Sequence, residues 1–116
     1  MTDGTTLSAT TAFSLLSAER RWAVAAAVGE ADNPLSTDAL STMLAAREQR
    51  LPPERVDGGT RESIQRDLES VHLPRLDSSG VVERENGDQY APGRNLEDLL
   101  EAAEAASHYF ASVRSN

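Results

Sequence analysis

Apolar residues return at intervals of three and four along most of the chain, and the breaks between those runs divide it into four helices and a hairpin. Residues 1–16 begin Thr/Ser/Gly-rich and are expected to form a loosely docked tail, with Phe13, Leu15 and Leu16 packing on the first helix. Ser17 reads as the N-cap of that helix, which runs from Ala18 to Glu30 behind an Ala23/Val24/Ala27/Val28 face and is stopped by Asp32-Asn33-Pro34. Leu35 opens a very short extended piece. Ser36 or Thr37 then caps a second helix to about Arg50, with Leu40, Met43 and Leu44 at helical spacing. Pro52-Pro53 and Asp57-Gly58-Gly59 make the following segment a loop. Thr60 is expected to cap a third helix carrying Ile64, Leu68 and Val71, which Pro74 should kink before Gly80 closes it in a left-handed cap.

Two extended runs then flank Asn86-Gly87, the preferred dipeptide of a two-residue type I′ turn. In that register Arg84 faces Gln89 and Glu83 faces Tyr90. Asn95 caps a last helix to about Val113, in which Leu96, Leu99, Leu100, Ala103, Ala106 and Phe110 form a continuous seam. Residues 17–93 read as one domain and 94–116 as a packing or dimerisation helix.

Composition narrows the chemistry. The 116 residues include no cysteine and two histidines, which removes disulfides, thiol catalysis and the usual ligands of zinc, and no metal or cofactor is expected. The longest apolar run, Trp22 to Val28, is far too short for a membrane span, and nothing before Arg20 resembles a signal peptide. A cytoplasmic protein without membrane contact is expected. All 11 basic residues are Arg, against 19 Asp and Glu, for a formal net charge of −8. Such a charge argues against nucleic acid as a partner at low salt. An acidic, lysine-free surface is also that of a protein from a high-salt cytoplasm, where at about 1 M salt charges are screened within roughly 3 Å. An Arg-for-Lys bias from a GC-rich genome explains the missing lysine without salt. No nucleophile elbow, phosphate-binding glycine loop or His-Glu metal motif is present, so no enzymatic activity is expected.

Three helices followed directly by a hairpin is the order of a winged helix-turn-helix, here an α+β domain with an additional C-terminal helix. Val71-His72-Leu73-Pro74-Arg75-Leu76-Asp77-Ser78-Ser79-Gly80-Val81-Val82-Glu83 resembles the junction of recognition helix and wing in ArsR-, PadR- and MarR-like regulators. Together with Glu19-Arg20-Arg21 and Ala45-Ala46-Arg47-Glu48, it is similar to a group of short winged-helix proteins of halophilic archaea. The resemblance spans about Ser17 to Ala91 and implies a dimeric transcriptional regulator that binds double-stranded DNA. The connection from Leu51 to Gly59 departs from it, being longer than the usual three- or four-residue turn.

On that reading Arg61, Ser63, Gln65, Arg66 and Glu69 lie on the recognition helix away from its apolar face, with residue types suited to base edges and phosphates. Arg84 and Asn86 on the wing and Arg75 on the flank complete the candidate interface. The plain alternative is a solvated helix whose Arg and Glu residues pair among themselves. His72 is expected to be a packed or capping residue beside Pro74. The seam from Leu96 to Phe110 is assigned to a homodimer, and the competing assignment is cover for the chain's own core. The competing function is an acidic winged-helix module that binds a protein partner or mimics DNA. The sequence identifies no effector.

If the acidic composition is an adaptation to salt, self-repulsion destabilises the fold when salt is low. Thermal unfolding followed by circular dichroism should move upward as KCl rises from about 0.1 M to about 1 M, where screening is strong. A midpoint indifferent to KCl would contradict the high-salt origin.

Overall fold

The computed structural model describes residues 7–114, with side chains through residue 108. In chain order it contains α1 (Ala9–Leu16), α2 (Glu19–Glu30), β1 (Leu35–Ser36), α3 (Thr37–Gln49), α4 (Gly58–Asp67), a π-helical turn (Leu68–His72), α5 (Leu73–Ser78), β2 (Val82–Glu85), β3 (Gln89–Pro92) and α6 (Leu96–Arg114). A short 3₁₀ turn, Pro53–Arg55, lies in the α3–α4 connection. The class is α+β, and among the described residues no helix is long and apolar enough to cross a membrane.

The expected N-terminal tail is, from residue 9, a helix. The Ser8 hydroxyl accepts from the Thr11 amide and so caps α1, which buries Ala12 and Leu15. Ser17, expected to cap the next helix, instead ends α1 by donating its hydroxyl to the Ser14 carbonyl at 2.7 Å, and Ala18 stands at the start of α2. At α3 the reading holds: the Ser36 hydroxyl accepts from the Ala39 amide, and Arg50 ends the helix at φ 57, ψ 45. The N-cap of α4 is Asp57 rather than Thr60, because its carboxylate reaches both the amide and the hydroxyl of Thr60 at 3.0 Å.

Pro74 does not break the helix. The chain widens into a π turn just before it, closed by the Leu73 amide on the Leu68 carbonyl, and continues into α5. The extra residue absorbs both the missing donor and the bulk of the proline ring. Gly80, at φ 77, closes α5 as expected, with the Val81 amide on the Leu76 carbonyl at 2.9 Å and the Gly80 amide on that of Asp77 at 3.0 Å.

The hairpin register differs from the expected one by a residue. Arg84 pairs with Tyr90 and Glu85 with Gln89, so the loop is Asn86-Gly87-Asp88. Asn86 and Gly87 do take positive φ, 27° and 75°. Asp88 is drawn out of the ladder because its carbonyl accepts from the amide and the hydroxyl of Thr37, at 3.0 and 3.2 Å. The same contact brings the short extended piece into the sheet, which has three strands in the order β1-β3-β2, all antiparallel.

The core lies between this sheet and the helices. Its fully buried members include Val24, Val28, Leu40, Ile64, Leu68, Leu73, Leu76, Val81, Val82 and Leu99. Leu96 and Leu99 therefore belong to the chain's own core and Leu100 packs against it, so these three are not free to form the expected dimer seam. The helices and the hairpin alone leave this side of the core open, and α6 closes it. Ala103 and Ala106 are half-buried, and the side chain of Phe110 lies outside the described residues. Asn95, buried before α6, turns its amide back to the Ser79 carbonyl at 2.9 Å and so clamps α6 to the end of α5.

Gly93 makes this clamp possible. Its amide donates to the Val81 carbonyl at 2.9 Å, and a Cβ at Gly93 would collide with the Gly80 carbonyl oxygen. That obstacle is backbone and cannot move aside. Gly93→Ala is expected to cost more than Leu99→Ala, itself about 2–5 kcal/mol. Urea unfolding would measure both, and a neutral Gly93→Ala would refute the close approach.

Candidate functional site

The surface proposed to read DNA is built on α4, the π turn and α5, and these carry four distinct faces. Ile64, Leu68, Leu73 and Leu76 enter the core. Glu62, Ser63, Arg66 and Ser70 are exposed outward, with the Ser70 hydroxyl folded back on the Arg66 carbonyl at 2.7 Å. Gln65 and Glu69 are joined side chain to side chain at 3.2 Å on the side of the hairpin. Asp67, His72 and Arg75 turn toward α1 and α2.

The four arginines of the expected interface are not brought together. Arg61 bonds Asp38, in the first turn of α3, at 2.6 Å and pins α4 onto α3, helped by Gln49 on Thr60 at 3.3 Å. Arg75 lines a small cleft against Thr11 and Ser14 of α1. Arg66 stands outward without an ion pair among the described residues. Arg84 stays on the hairpin, where its guanidinium donates to the Gly87 carbonyl beside Asn86. Thus the expected pairing of Arg and Glu within α4 does not occur: Arg61 and Asp67 find partners on other helices, and Glu69 meets Gln65 instead of an arginine.

The inward side chains of the hairpin are Val82 and Tyr90. Burial pushes the Tyr90 hydroxyl's pKa up; Arg84 pulls it down, while Asp77, Asp88 and Glu69 push it further up.

Sequence reasoning missed a polar relay behind the surface. Arg21 is 6% exposed and donates to the Leu15 carbonyl at 2.8 Å, the Ser14 carbonyl at 2.9 Å and the Ser17 hydroxyl at 3.2 Å. Its remaining edge meets His72 Nδ1 at 3.2 Å. A guanidinium can only donate, so Nδ1 accepts and Nε2 carries the proton that faces Asp67 at 2.9 Å. Asp67 also accepts from Arg20 at 2.9 Å, and Arg20 grips both oxygens of Glu48 at 2.8 and 2.9 Å. His72 is thus packed, as expected, but its role is to connect helices. Arg20 is committed to Glu48 and Asp67. The legible signal was position: Arg21 precedes Val24, Ala25 and Val28 by three, four and seven residues, on the buried stripe of α2.

Electrostatics follow the relay. Burial lowers the pKa of Arg21, with Arg75 adding to the effect. The Glu48 hydrogen bond raises that of Arg20. Burial pushes the Asp67 carboxyl up, but Arg20 and His72 outweigh it and hold it below the usual carboxylate range.

A family model described as Domain of unknown function (DUF7344) matches residues 13–90, well over half of the 116. No curated protein and no solved structure matches the chain.

Because the folded-state pKa of Asp67 is lowered, its charged form stabilises the fold above the unfolded value, and that contribution is lost as pH falls through the lower folded value. The stability gap between the wild type and Asp67→Asn should be widest above about pH 5, about 1 kcal/mol for so exposed a pair, and close on acidification. Arg21→Ala should cost about 2–4 kcal/mol at any pH from 5 to 8, since the buried Leu15 carbonyl and His72 Nδ1 lose their donor. Denaturant melts across pH check both; a gap at Asp67 that grows in acid would contradict the relay.

Proposed function

The chain belongs to the DUF7344 family, whose description assigns no activity; from its element order and surface chemistry we propose that it is a winged helix-turn-helix protein that binds double-stranded DNA and regulates transcription. The order α2, β1, α3, α4–α5, β2, β3 with strand order β1-β3-β2 is that of a winged helix, with β2–β3 as the wing and α4 as the reading helix. The observation that carries the proposal is the outward stripe of α4. Ser63 and Arg66 are exposed there, and Gln65 beside them is held by Glu69. Arg66 suits a guanine edge and Gln65 an adenine edge, while Glu69 suits the amino group of cytosine. Arg84 and Asn86 at the wing tip suit phosphate or the minor groove.

In this reading Arg61 sets the angle of α4 through Asp38, which compensates for the long α3–α4 connection, and Arg75 lies outside the interface. The net charge of −8 is tolerable in molar salt, where only local charge is felt. The distal half of α6, from Ala103 onward, would join two copies in the manner of a symmetric dimer and place two reading helices on successive major grooves.

A second reading is favoured by the carboxylates of Glu69, Asp77 and Asp88 around Tyr90: an acidic winged-helix module that docks a protein partner. The two readings separate on one experiment. Genomic fragments selected in about 1 M KCl should be bound by a particle sedimenting as a dimer, with Gln65→Ala/Arg66→Ala losing about 10- to 100-fold or more in affinity at about 1–3 kcal/mol per base contact. The variant should fold as the wild type does, since both positions are at the surface. Unchanged binding by the folded variant, or no fragment selected at all, would favour the module.

A further inference from the structure

A cleft of about 800 Å³ lies on the α2–α3 side, away from the outward stripe of α4. Its volume falls in the range of small-molecule sites. Ala23 and Leu44, both buried members of the core, supply an apolar floor. Arg47 and Arg50, one helical turn apart, stand on its wall.

These two arginines differ from the others of the cleft. Arg20 is fully engaged by Glu48 and Asp67. Arg47 and Arg50 have no carboxylate partner among the described residues. Arg47 is nevertheless held in place: its guanidinium lies over the Trp22 ring, 4.9 Å from the centroid. Stacking fixes the plane and leaves the N–H edges unspent. Arg50 reaches the cleft from the left-handed C-cap of α3, φ 57, ψ 45, where the Leu51 amide closes the helix on the Ala46 carbonyl at 3.0 Å. In a chain of net charge −8, an unpaired guanidinium pair over an apolar floor is a local reversal of sign.

We propose that this cleft binds a small organic carboxylate with an apolar body, its carboxylate on Arg47 and Arg50 and its body against Ala23 and Leu44. The planar fork of a guanidinium matches a carboxylate through two parallel hydrogen bonds. The floor excludes a purely inorganic anion as the best occupant, because that anion would leave apolar surface uncovered. The inference stands independently of DNA binding. A ligand seated there would also adjoin Glu48 and His72, both members of the relay that reaches α4.

Trp22 is the single tryptophan of the chain and lies against the Arg47 guanidinium, so its emission responds when that side chain is engaged. Phenylacetate, benzoate and acetate would each be titrated into the full-length protein, with phenylacetamide as the uncharged counterpart and inorganic phosphate as the anion without an apolar body. Ligands of about ten non-hydrogen atoms bind in the millimolar range at ordinary efficiency. The expected result is a saturable change with phenylacetate or benzoate, at least about tenfold weaker with phenylacetamide, acetate and phosphate. Arg47→Gln and Arg50→Gln should each weaken it a further tenfold or so. Arg50→Gly, which removes the arm while suiting the left-handed backbone, guards against a folding defect and should lose binding equally. No saturable response to either aromatic carboxylate up to about 50 mM, or an equal response to phenylacetamide, overturns the proposal.

Discussion

The burial of one guanidinium organises this molecule. Arg21 lies on the inward stripe of α2, where an unpaired charge would be costly, and every edge of it is met by an acceptor: two carbonyls and a hydroxyl at the end of α1, and His72 on the π turn. The Leu15 carbonyl, in the last turn of α1, would otherwise have no intrahelical donor, while the Ser14 carbonyl is shared with the Ser17 hydroxyl. The arrangement explains why α1 is a docked helix, although it is only eight residues long and buries only Ala12 and Leu15. It also explains why the turn before Pro74 is widened rather than broken, since His72 must face Arg21 and Asp67 while Leu68 and Leu73 stay in the core.

The remaining arginines divide by their neighbours. Arg20 and Arg61 reach carboxylates on other helices, Glu48, Asp67 and Asp38, and so tie α2 to α3 and α4, and α4 to α3. Such pairs are partly exposed and individually weak, but they set the angle at which α4 presents its outer face. Arg66 and Arg84 stand toward solvent at the proposed DNA interface, and Arg47 and Arg50 at the cleft.

Elements with strong local signals were legible in the sequence. The cap at Ser36, the left-handed Gly80, the positive φ of Asn86 and Gly87 and the buried Leu40, Leu44, Ile64 and Leu68 all follow from rules acting over a few residues, whereas Met43 and Val71, expected on the same apolar faces, are exposed. What was not legible depends on distant partners. The Asp88 carbonyl belongs to Thr37, 51 positions earlier, and this shifts the hairpin by one residue. Arg21 meets His72, again 51 positions away. Leu96 and Leu99 look like a seam for a second chain because the sequence does not reveal that α2 and the sheet leave an open side. Of the candidate site, Ser63 and Arg66 were expected away from the apolar face and are exposed. Arg61 and Arg75 instead meet α3 and α1, since a helical wheel gives angle around the axis but not which helix lies opposite.

The central claim is that α4 and the hairpin form one contact surface for duplex DNA. Backbone amide shifts of the ¹⁵N-labelled protein, followed on adding a selected duplex in about 1 M KCl, address it most directly. The account predicts the largest changes at residues 62–70 and 83–89, with α1 and the N-terminal half of α6 little affected. Changes confined to α1 or α6, or none at a saturating duplex concentration, would contradict it.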